Sequence, residues 1–246
     1  EIPVTWLSKT GKFYGRLVPT TNVNIGRQRQ QFRCGDDKEF CMNLSRKIIV
    51  AKIRNQRAIL SRYNRENKDD AVHNAIKRLE RGVDLAEGCN DLNTLIGYEG
   101  NASRIYFQAL STFSTDDFQF DKRTRRPPKD KFNSLLSFGY TMLMYDLYSA
   151  IMSKGLNPYA AFLHQDREKH PTLASDLMEE WRPVLVDSMV LACIRRNMFE
   201  ADKFEDDKSG GVYIGKDNLR TFIQEYEKKL STKSRYLEYV DYQLTY

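Results

Sequence analysis

The sequence is poor in the residues that build disulfide frameworks, and it has no stretch suited to a membrane. Its 246 residues include four cysteines, Cys34, Cys41, Cys89 and Cys193. They form no CxxC pair and no zinc-finger spacing, so they carry no functional message. Buried free thiols in a reducing cytoplasm are expected, with a Cys34–Cys41 disulfide as the one alternative. No apolar run approaches the roughly 20 residues that cross a bilayer, and the N-terminus has no signal-peptide pattern. A cytoplasmic protein with no membrane partner is therefore predicted. The first residue is Glu1 rather than Met, which marks a processed chain or a fragment. There is no internal repeat, no low-complexity tract and no recognisable Ser or Cys triad.

What is present is charge and enough apolar residues for a core. Hydrophobic residues make up 41% and charged residues 29%, and the mean hydropathy is -0.62. That suits one large domain, or one domain plus a fragment, with a well-solvated surface. The net charge of +6 conceals an asymmetry. Residues 1–68 carry 15 Lys/Arg against 5 Asp/Glu, whereas residues 69–246 carry 24 against 28. A basic block beside a mildly acidic body points to a polyanion, most simply nucleic acid.

The chain divides by its periodicities. Residues 1–20 read as extended, with Val4, Trp6, Leu7, Phe13, Tyr14, Leu17 and Val18 around a Gly11 turn. They predict a hairpin or the last strands of a small sheet. Residues 21–45 are assigned as a linker region, with helix beginning near Phe40, and residues 46–246 as a helical body. In Arg46–Tyr63, Ile48, Ile49, Ile53, Ile59, Leu60 and Tyr63 share one face at the helical period, with Arg46, Arg54, Arg57 and Arg62 mainly on the other. A second helix is predicted over Asp69–Leu85 and a third from an Asn90 or Asp91 cap. Residues 114–131 read as a mobile loop whose Pro127 and Pro128 hold Arg123, Arg125 and Arg126 away from the body. Helix returns over Asp130–Ser153, closed by Lys154-Gly155. It resumes from Thr172 with a kink or restart at Pro183, and again over Asp217–Leu230 after a Gly210-Gly211 turn. The fold class is mainly α, an all-helical body preceded by a β remnant.

Two places carry candidate chemistry. In SDLMEEWRPVLVD (175–187), helical spacing sets Asp176, Glu180 and Asp187 within about 40° of one another and Glu179 about 60° to one side. A solvated acidic face is the plain reading. Against it, Val186 and Val190 share the Glu179 side, and His164 lies just upstream across a polar loop. A histidine beside carboxylates is a ligand set for Mn²⁺ or Mg²⁺, although spacing does not choose among Asp176, Glu179 and Glu180. His73 and His170 are assigned to surface or capping positions. The second place is Glu99, set between Gly97-Tyr98 and Gly100 inside an apolar helical pattern. Each glycine there costs about 1 kcal/mol relative to alanine, a local violation that signals either function or close helix packing.

Four stretches together resemble one family: RNQRAILSRY (54–63), GYEGNASRIYF (97–107), RRPPKDKFNSLLSFGYTMLMYDLYSAI (125–151) and GLNPYAAFLHQDREKHPTLASDLMEEWRPVLVD (155–187). They are similar to the CRISPR-associated adaptation integrases, the endonuclease/integrases of spacer acquisition, in that family's order. The opening VTWLSKTGKFYGRLVP resembles the end of the family's small N-terminal β-domain. Carried over by position, the resemblance implies Glu99, His164 and Glu179 as catalytic metal ligands, with Asp176 as a supporting or alternate ligand. The cofactor implied is Mg²⁺ or Mn²⁺. Arg104 and Asn133 are implied as contacts to DNA phosphate or as groups ordering the site. Arg46, Arg54, Arg57, Arg62, Arg123, Arg125 and Arg126 become candidate phosphate contacts.

The implied reaction joins the 3′-hydroxyl ends of a short prespacer duplex to the CRISPR repeat at the leader by transesterification. The implied partners are double-stranded DNA, a second copy of the chain and the small CRISPR adaptation subunit. The alternatives are a casposase-like mobile-element integrase and a catalytically silent DNA-binding scaffold. Against the family pattern, most of the N-terminal β-domain is missing and the chain stops at Tyr246. That bears on dimerisation and partner docking rather than on the site.

Overall fold

The computed structural model describes residues 4–8, 13–17, 23–208 and 210–231. The expected Gly11 turn, Val18 and the chain beyond residue 231 lie outside the described residues. Strands β1 (Val4–Leu7) and β2 (Phe13–Leu17) pair antiparallel, Val4 opposite Leu17. Trp6, Tyr14 and Leu17 stay exposed on them.

Eight α-helices follow among the described residues. Residues 21–45, expected as a linker, hold instead α1 (Ile25–Asp36) and the start of α2 (Lys38–Asn67). The signals lay in the caps. The Asn24 side chain accepts from Arg27 N at 2.9 Å, and Asp37 accepts from Glu39 N and Phe40 N at 2.9 and 3.1 Å, satisfying orphan donors of two helix N-termini. Because α1 buries little beyond Gln31, its apolar periodicity was too weak to show.

The 30-residue α2 is the spine. It packs on α3 (Asp70–Glu87), α4 (Leu92–Leu110) and α6 (Thr172–Trp181). Its Ile49, Ile53 and Leu60 are almost wholly buried. In α3, Val72, Ala75, Leu79, Val83 and Ala86 form the buried stripe at three- and four-residue steps. Asp69, Asp91 and Asp130 cap α3, α4 and α5 (Lys131–Ser153) by accepting from Val72 N, Thr94 N and Asn133 N.

Past Trp181 the helix neither stops nor simply kinks. Residues Arg182–Asp187 form a wide π-helical turn that runs into α7 (Ser188–Arg195). Pro183 has no N–H to give the α ladder, and a π turn absorbs that loss without ending the helix. Helix α5 comes very close to this turn at Gly139, where a Cβ would sit 2.5 Å from Val186 Cγ1 and 2.9 Å from Phe222 Cζ of α8 (Lys216–Ser231). A short hairpin, β3 (Phe204–Asp206) with β4 (Val212–Ile214), lies where only a Gly210-Gly211 turn was expected. Three-residue strands are too short to show a period.

The 114–131 segment is not a projecting loop. Phe118 and Phe120 are buried, Phe120 stacks on Phe132 at 4.2 Å, and the buried Asn133 amide donates to Lys122 O and accepts from Thr124 N. Among the described residues no helix is long and apolar enough to cross a membrane. All four cysteines are free, Cys89 and Cys193 buried, Cys34 and Cys41 half-buried.

Candidate active site

Three elements converge at the middle of α2. Helix α4 brings Glu99, α6 brings Asp176 and Glu179, and the loop before α6 brings His164. The group that gathers the glutamates is Lys52, whose side chain is only 6% exposed. Its ammonium donates to Glu99 Oε1 and, at 2.6 Å, to Glu179 Oε2. Glu179 Oε1 takes a second cation, Arg182 Nη1, at 2.7 Å. Ser103, one turn beyond Glu99, donates to Glu99 Oε1 at 2.7 Å. Asn55 holds α2 to α6 through Glu180 O at 2.8 Å.

His164 is fixed from behind. Asp176, fully buried, accepts from the backbone N–H of Phe162 and Leu163 at 2.9 and 2.8 Å, from His164 N at 3.2 Å and from His164 Nδ1 at 2.7 Å. One carboxylate thus shapes the loop and sets the ring tautomer. The fold places Gln31 of α1 against the same loop, where it bonds Asn157 and Ala160.

The electrostatics follow from burial against pairing. Burial disfavours the Glu179 carboxylate, but Lys52 and Arg182 outweigh it and hold its pKa down at about 2. The hydrogen bond to Asp176 raises the His164 imidazole above its ordinary value against the opposing effect of burial, and the charges of Asp176, Glu179 and Glu99 add to the rise. Asp187 accepts from Tyr106 and Tyr140 hydroxyls at 3.0 and 2.6 Å. Burial nevertheless pushes it up to about 6.

The acidic segment is therefore not a solvated face: Asp176, Glu179, Glu180 and Asp187 are all buried. Close packing does not explain Glu99's glycines either, since a Cβ at Gly97 or Gly100 would meet nothing within 4 Å. They leave bare, accessible backbone on either side of the carboxylate.

The donor set fits a hard divalent cation. Two carboxylates already share one buried cation, and a carboxylate on Nδ1 leaves Nε2 as the ligand atom of an oriented imidazole, the usual support for a metal-bound histidine. Among the described residues no three His, Cys, Asp or Glu side chains are gathered as a ready ion cage, and Lys52 bonds both glutamates.

The expected phosphate contacts divide. Arg46 bonds Cys89 O and Asn90, Arg54 pairs with Glu87 at 2.5 Å and Arg57 with Glu80 at 2.7 Å, so these three brace α2 against α3 and the loop after it. Arg62 is exposed, its guanidinium 6.0 Å from the Tyr63 ring centre. Asn133 is fully buried and out of reach of a phosphate. It holds Arg123 Nη1 at 2.8 Å. Arg123 itself packs inward, bonding Ser137 and lying 5.2 Å from the Tyr140 ring, which corrects the picture of an arginine held out by prolines. Arg104, Arg125 and Arg126 are exposed. Arg104 and Arg125, with Lys122, Arg123 and Phe107, line an open groove of about 400 Å³ that begins at Ser103, beside Glu99. His170 bonds Ser175 at 2.9 Å, a local tie at the start of α6.

A family profile described as CRISPR associated protein Cas1 matches residues 1–228. The chain belongs to the Cas1 family. A CRISPR-associated endonuclease Cas1 of Mycobacterium tuberculosis is 34% identical over 239 residues, covering 97% of this chain and 70% of that protein. A solved CAS1 protein from Thermotoga maritima superposes with a TM-score of 0.82 at 25% identity, over 94% of this chain and 72% of that one. A chain of a partial Cas6-RT-Cas1–Cas2 complex does so with a TM-score of 0.78 at 29% identity, over 95% and 71%. The resemblance carried by the four motifs and the mainly helical fold both stand in this Cas1-family chain.

Lys52 was missed in the sequence although a signal existed. It lies four residues after Ile48 and seven before Ile59, on the apolar face of α2, where a charge demands a buried partner. Ser103 and Arg182 follow Glu99 and Glu179 by four and three residues, the spacings of helical neighbours.

Proposed function

We propose that this Cas1-family chain is a metal-dependent DNA endonuclease and integrase of CRISPR spacer acquisition. The observation that carries the proposal is the convergence of Glu99 and Glu179 on one buried cation beside a histidine fixed by Asp176. Glu99, His164 and Glu179 would hold Mg²⁺ or Mn²⁺, His164 favouring Mn²⁺. When bound, the ion supplies Lewis-acid stabilisation of the scissile phosphate.

The chain's own residues do the positioning. Asp176 keeps the His164 proton on Nδ1. Arg182 and Lys52 keep Glu179 ionised at any working pH. The exposed backbone at Gly97 and Gly100 lets a phosphodiester strand lie against α4 beside Glu99. Arg104 and Arg125 neutralise phosphates along the groove, with Arg62 and Arg126 as outlying contacts, giving affinity without sequence information. A 3′-hydroxyl of the incoming duplex attacks phosphorus, a new P–O ester forms as the old one breaks, and the displaced strand leaves with its own 3′-hydroxyl. Phosphodiester bonds are conserved, so no energy-supplying cofactor is needed. Positioning and charge stabilisation suffice, and no covalent protein nucleophile is used.

Double-stranded DNA, a second copy of the chain and a Cas2-like small subunit are the proposed partners, in the cytoplasm of a prokaryote. The Cas1–Cas2 assembly to which the fold is similar supports the small subunit.

Incubating the protein with Mn²⁺, a short duplex and supercoiled plasmid tests the reading. Joining is expected with 3′-hydroxyl ends and none with 3′-deoxy ends; joining that survives the deoxy ends refutes transesterification. Glu179→Gln is expected to abolish joining while DNA affinity stays within a fewfold of wild type, and undiminished joining removes Glu179 from the site.

A further inference from the structure

Gln31 is out of character with its helix. The face that α1 turns to the body is polar: Arg27, Gln31 and Cys34 follow at four- and three-residue steps, and Gln31 is the buried residue of the helix, 5% exposed. A buried amide is tolerated when both of its ends are bonded, and here they are. Its Oε1 accepts from Asn157 N at 2.8 Å, and its Nε2 donates to Asn157 O at 2.8 Å and to Ala160 O at 3.0 Å. Three backbone groups of the connection between α5 and α6 thus share one side chain from 126 or more residues away. Arg27, one turn earlier on α1, adds a bond to Lys154 O.

That connection leads to His164, and side chains rather than a helical or strand ladder hold most of its backbone. Ser45 of α2 donates to Phe162 O at 3.3 Å, and Asp176 of α6 takes the N–H groups of residues 162–164. Pro158 O accepts from Leu173 N at 3.0 Å. The loop is therefore slung between α1 at its start, α2 at Phe162 and α6 at its end. Asp176 reaches the last three residues, whereas the Asn157–Ala160 stretch is anchored chiefly by Gln31.

We infer that Gln31 is a positioning residue for the proposed metal site and that α1 is a strap across it. The amide fixes the 157–160 backbone and, through it, the distance at which His164 faces Glu99 and Glu179. Site residues must be held within about 0.5 Å of their productive place, and a histidine loop tied only at its far end does not meet that demand. Because α1 buries no apolar stripe, it belongs to the weakly held parts of the fold. Releasing it breaks few contacts yet loosens the start of the histidine loop. Docking of α1 and binding of the ion then favour each other, reciprocally, as linkage requires.

The inference rests on the proposed Glu99/His164/Glu179 site and is tested on the whole chain with Mn²⁺ alone, with no DNA and no turnover. Gln31→Met keeps the length of the side chain and removes its hydrogen bonds. In calorimetric titration it is expected to bind Mn²⁺ about tenfold more weakly, the scale of losses seen when a group that orients a ligand is removed. Wild-type affinity in this variant overturns the inference. Thermal melting with and without Mn²⁺ distinguishes positioning from plain stabilisation. Positioning shrinks the Mn²⁺-induced rise in melting temperature. A merely structural role lowers both temperatures and leaves the rise as in wild type, and that result also overturns the inference.

Hydrogen exchange in the wild-type chain supplies an arm that needs no variant to fold. Saturating Mn²⁺ is expected to slow amide exchange severalfold across α1, which carries no ligand, as well as in residues 156–164. Protection confined to the segments bearing Glu99, His164 and Glu179, with α1 unchanged, overturns the inference. Glu179→Gln separates the two levels. If it leaves wild-type Mn²⁺ affinity intact, the metal site itself is wrong and both ideas fall. If it abolishes binding while Gln31→Met binds as wild type does, only the positioning is wrong.

Discussion

Asp176→Asn exchanges one buried carboxylate oxygen for an NH₂ group and removes the charge. In the native site Oδ2 accepts from two backbone N–H groups, of Phe162 and Leu163, and Oδ1 from His164 N and Nδ1. Whichever oxygen becomes nitrogen, two donors are left facing a donor in a fully buried place. Hydrogen bonds to a charged group are each worth about 1.5–3 kcal/mol, so two lost bonds amount to roughly 3–6 kcal/mol. Urea denaturation of the metal-free protein, with the slope held common, measures this directly.

The same substitution acts on His164, whose pKa is raised chiefly by its hydrogen bond to Asp176. A raised histidine stabilises the fold fully below its unfolded value, near 6.5, and that contribution is lost as the pH rises through the folded value. In Asp176→Asn the imidazole should titrate lower by NMR, this slope should vanish, and DNA joining should fall at least tenfold as the ring loses its fixed tautomer. A variant within 1 kcal/mol of wild type, with an unmoved His164 titration, would refute the argument that Asp176 shapes both loop and ring.

Three other outcomes are expected. Acid should weaken the chain through Glu179, because a carboxyl held down at about 2 against an ordinary 4.5 contributes about 3 kcal/mol. That contribution is present above pH 4.5 and is lost as the pH falls toward 2, so the stability gap between wild type and Glu179→Gln should narrow in urea titrations run from pH 6 to pH 3. Gly139→Ala forces a methyl against Val186 and Phe222 and should cost about 1–3 kcal/mol; an unchanged melting temperature would show that α5 can shift away. Arg125→Ala should weaken DNA binding uniformly across sequences and reduce the slope of log affinity against log salt by about 1. A sequence-dependent loss would assign Arg125 to base reading instead.

How much of this was legible in the sequence depended on the range of the interaction. Helices α2 to α5 showed themselves because stripes such as Val72, Leu79 and Val83 repeat locally and aspartate caps lie at their starts. Helix α1 and the β3–β4 hairpin did not, one for lack of a buried stripe and the other for lack of length. At the site, Glu99 and Glu179 were nominated, but local spacing allowed Asp176 and Glu180 equally. What distinguishes them is tertiary contact that helical spacing does not encode: Asp176 turns back to the 162–164 backbone, while Glu179 reaches Lys52, 127 residues away. The arginines were the hardest to assign, since exposure cannot be read from charge. Arg54 and Arg57 meet acids on α3, and Arg123 packs inward against Asn133 and Tyr140.

The π turn at Arg182–Asp187 has a geometrical consequence. A π turn holds about one residue more than an α turn, and one residue is worth about 100° of rotation. Helices α6 and α7 are therefore out of phase along a nearly continuous rod. The first half addresses Glu179 to Lys52, and the end of the turn, where α7 begins, addresses Asp187 to Tyr106 and Tyr140. A continuous α-helix would hold those two carboxylates to one fixed angular relation. Deleting a single residue here would return the rod to one phase, so the turn acts as a frame shift in three dimensions that lets one helix serve two clients.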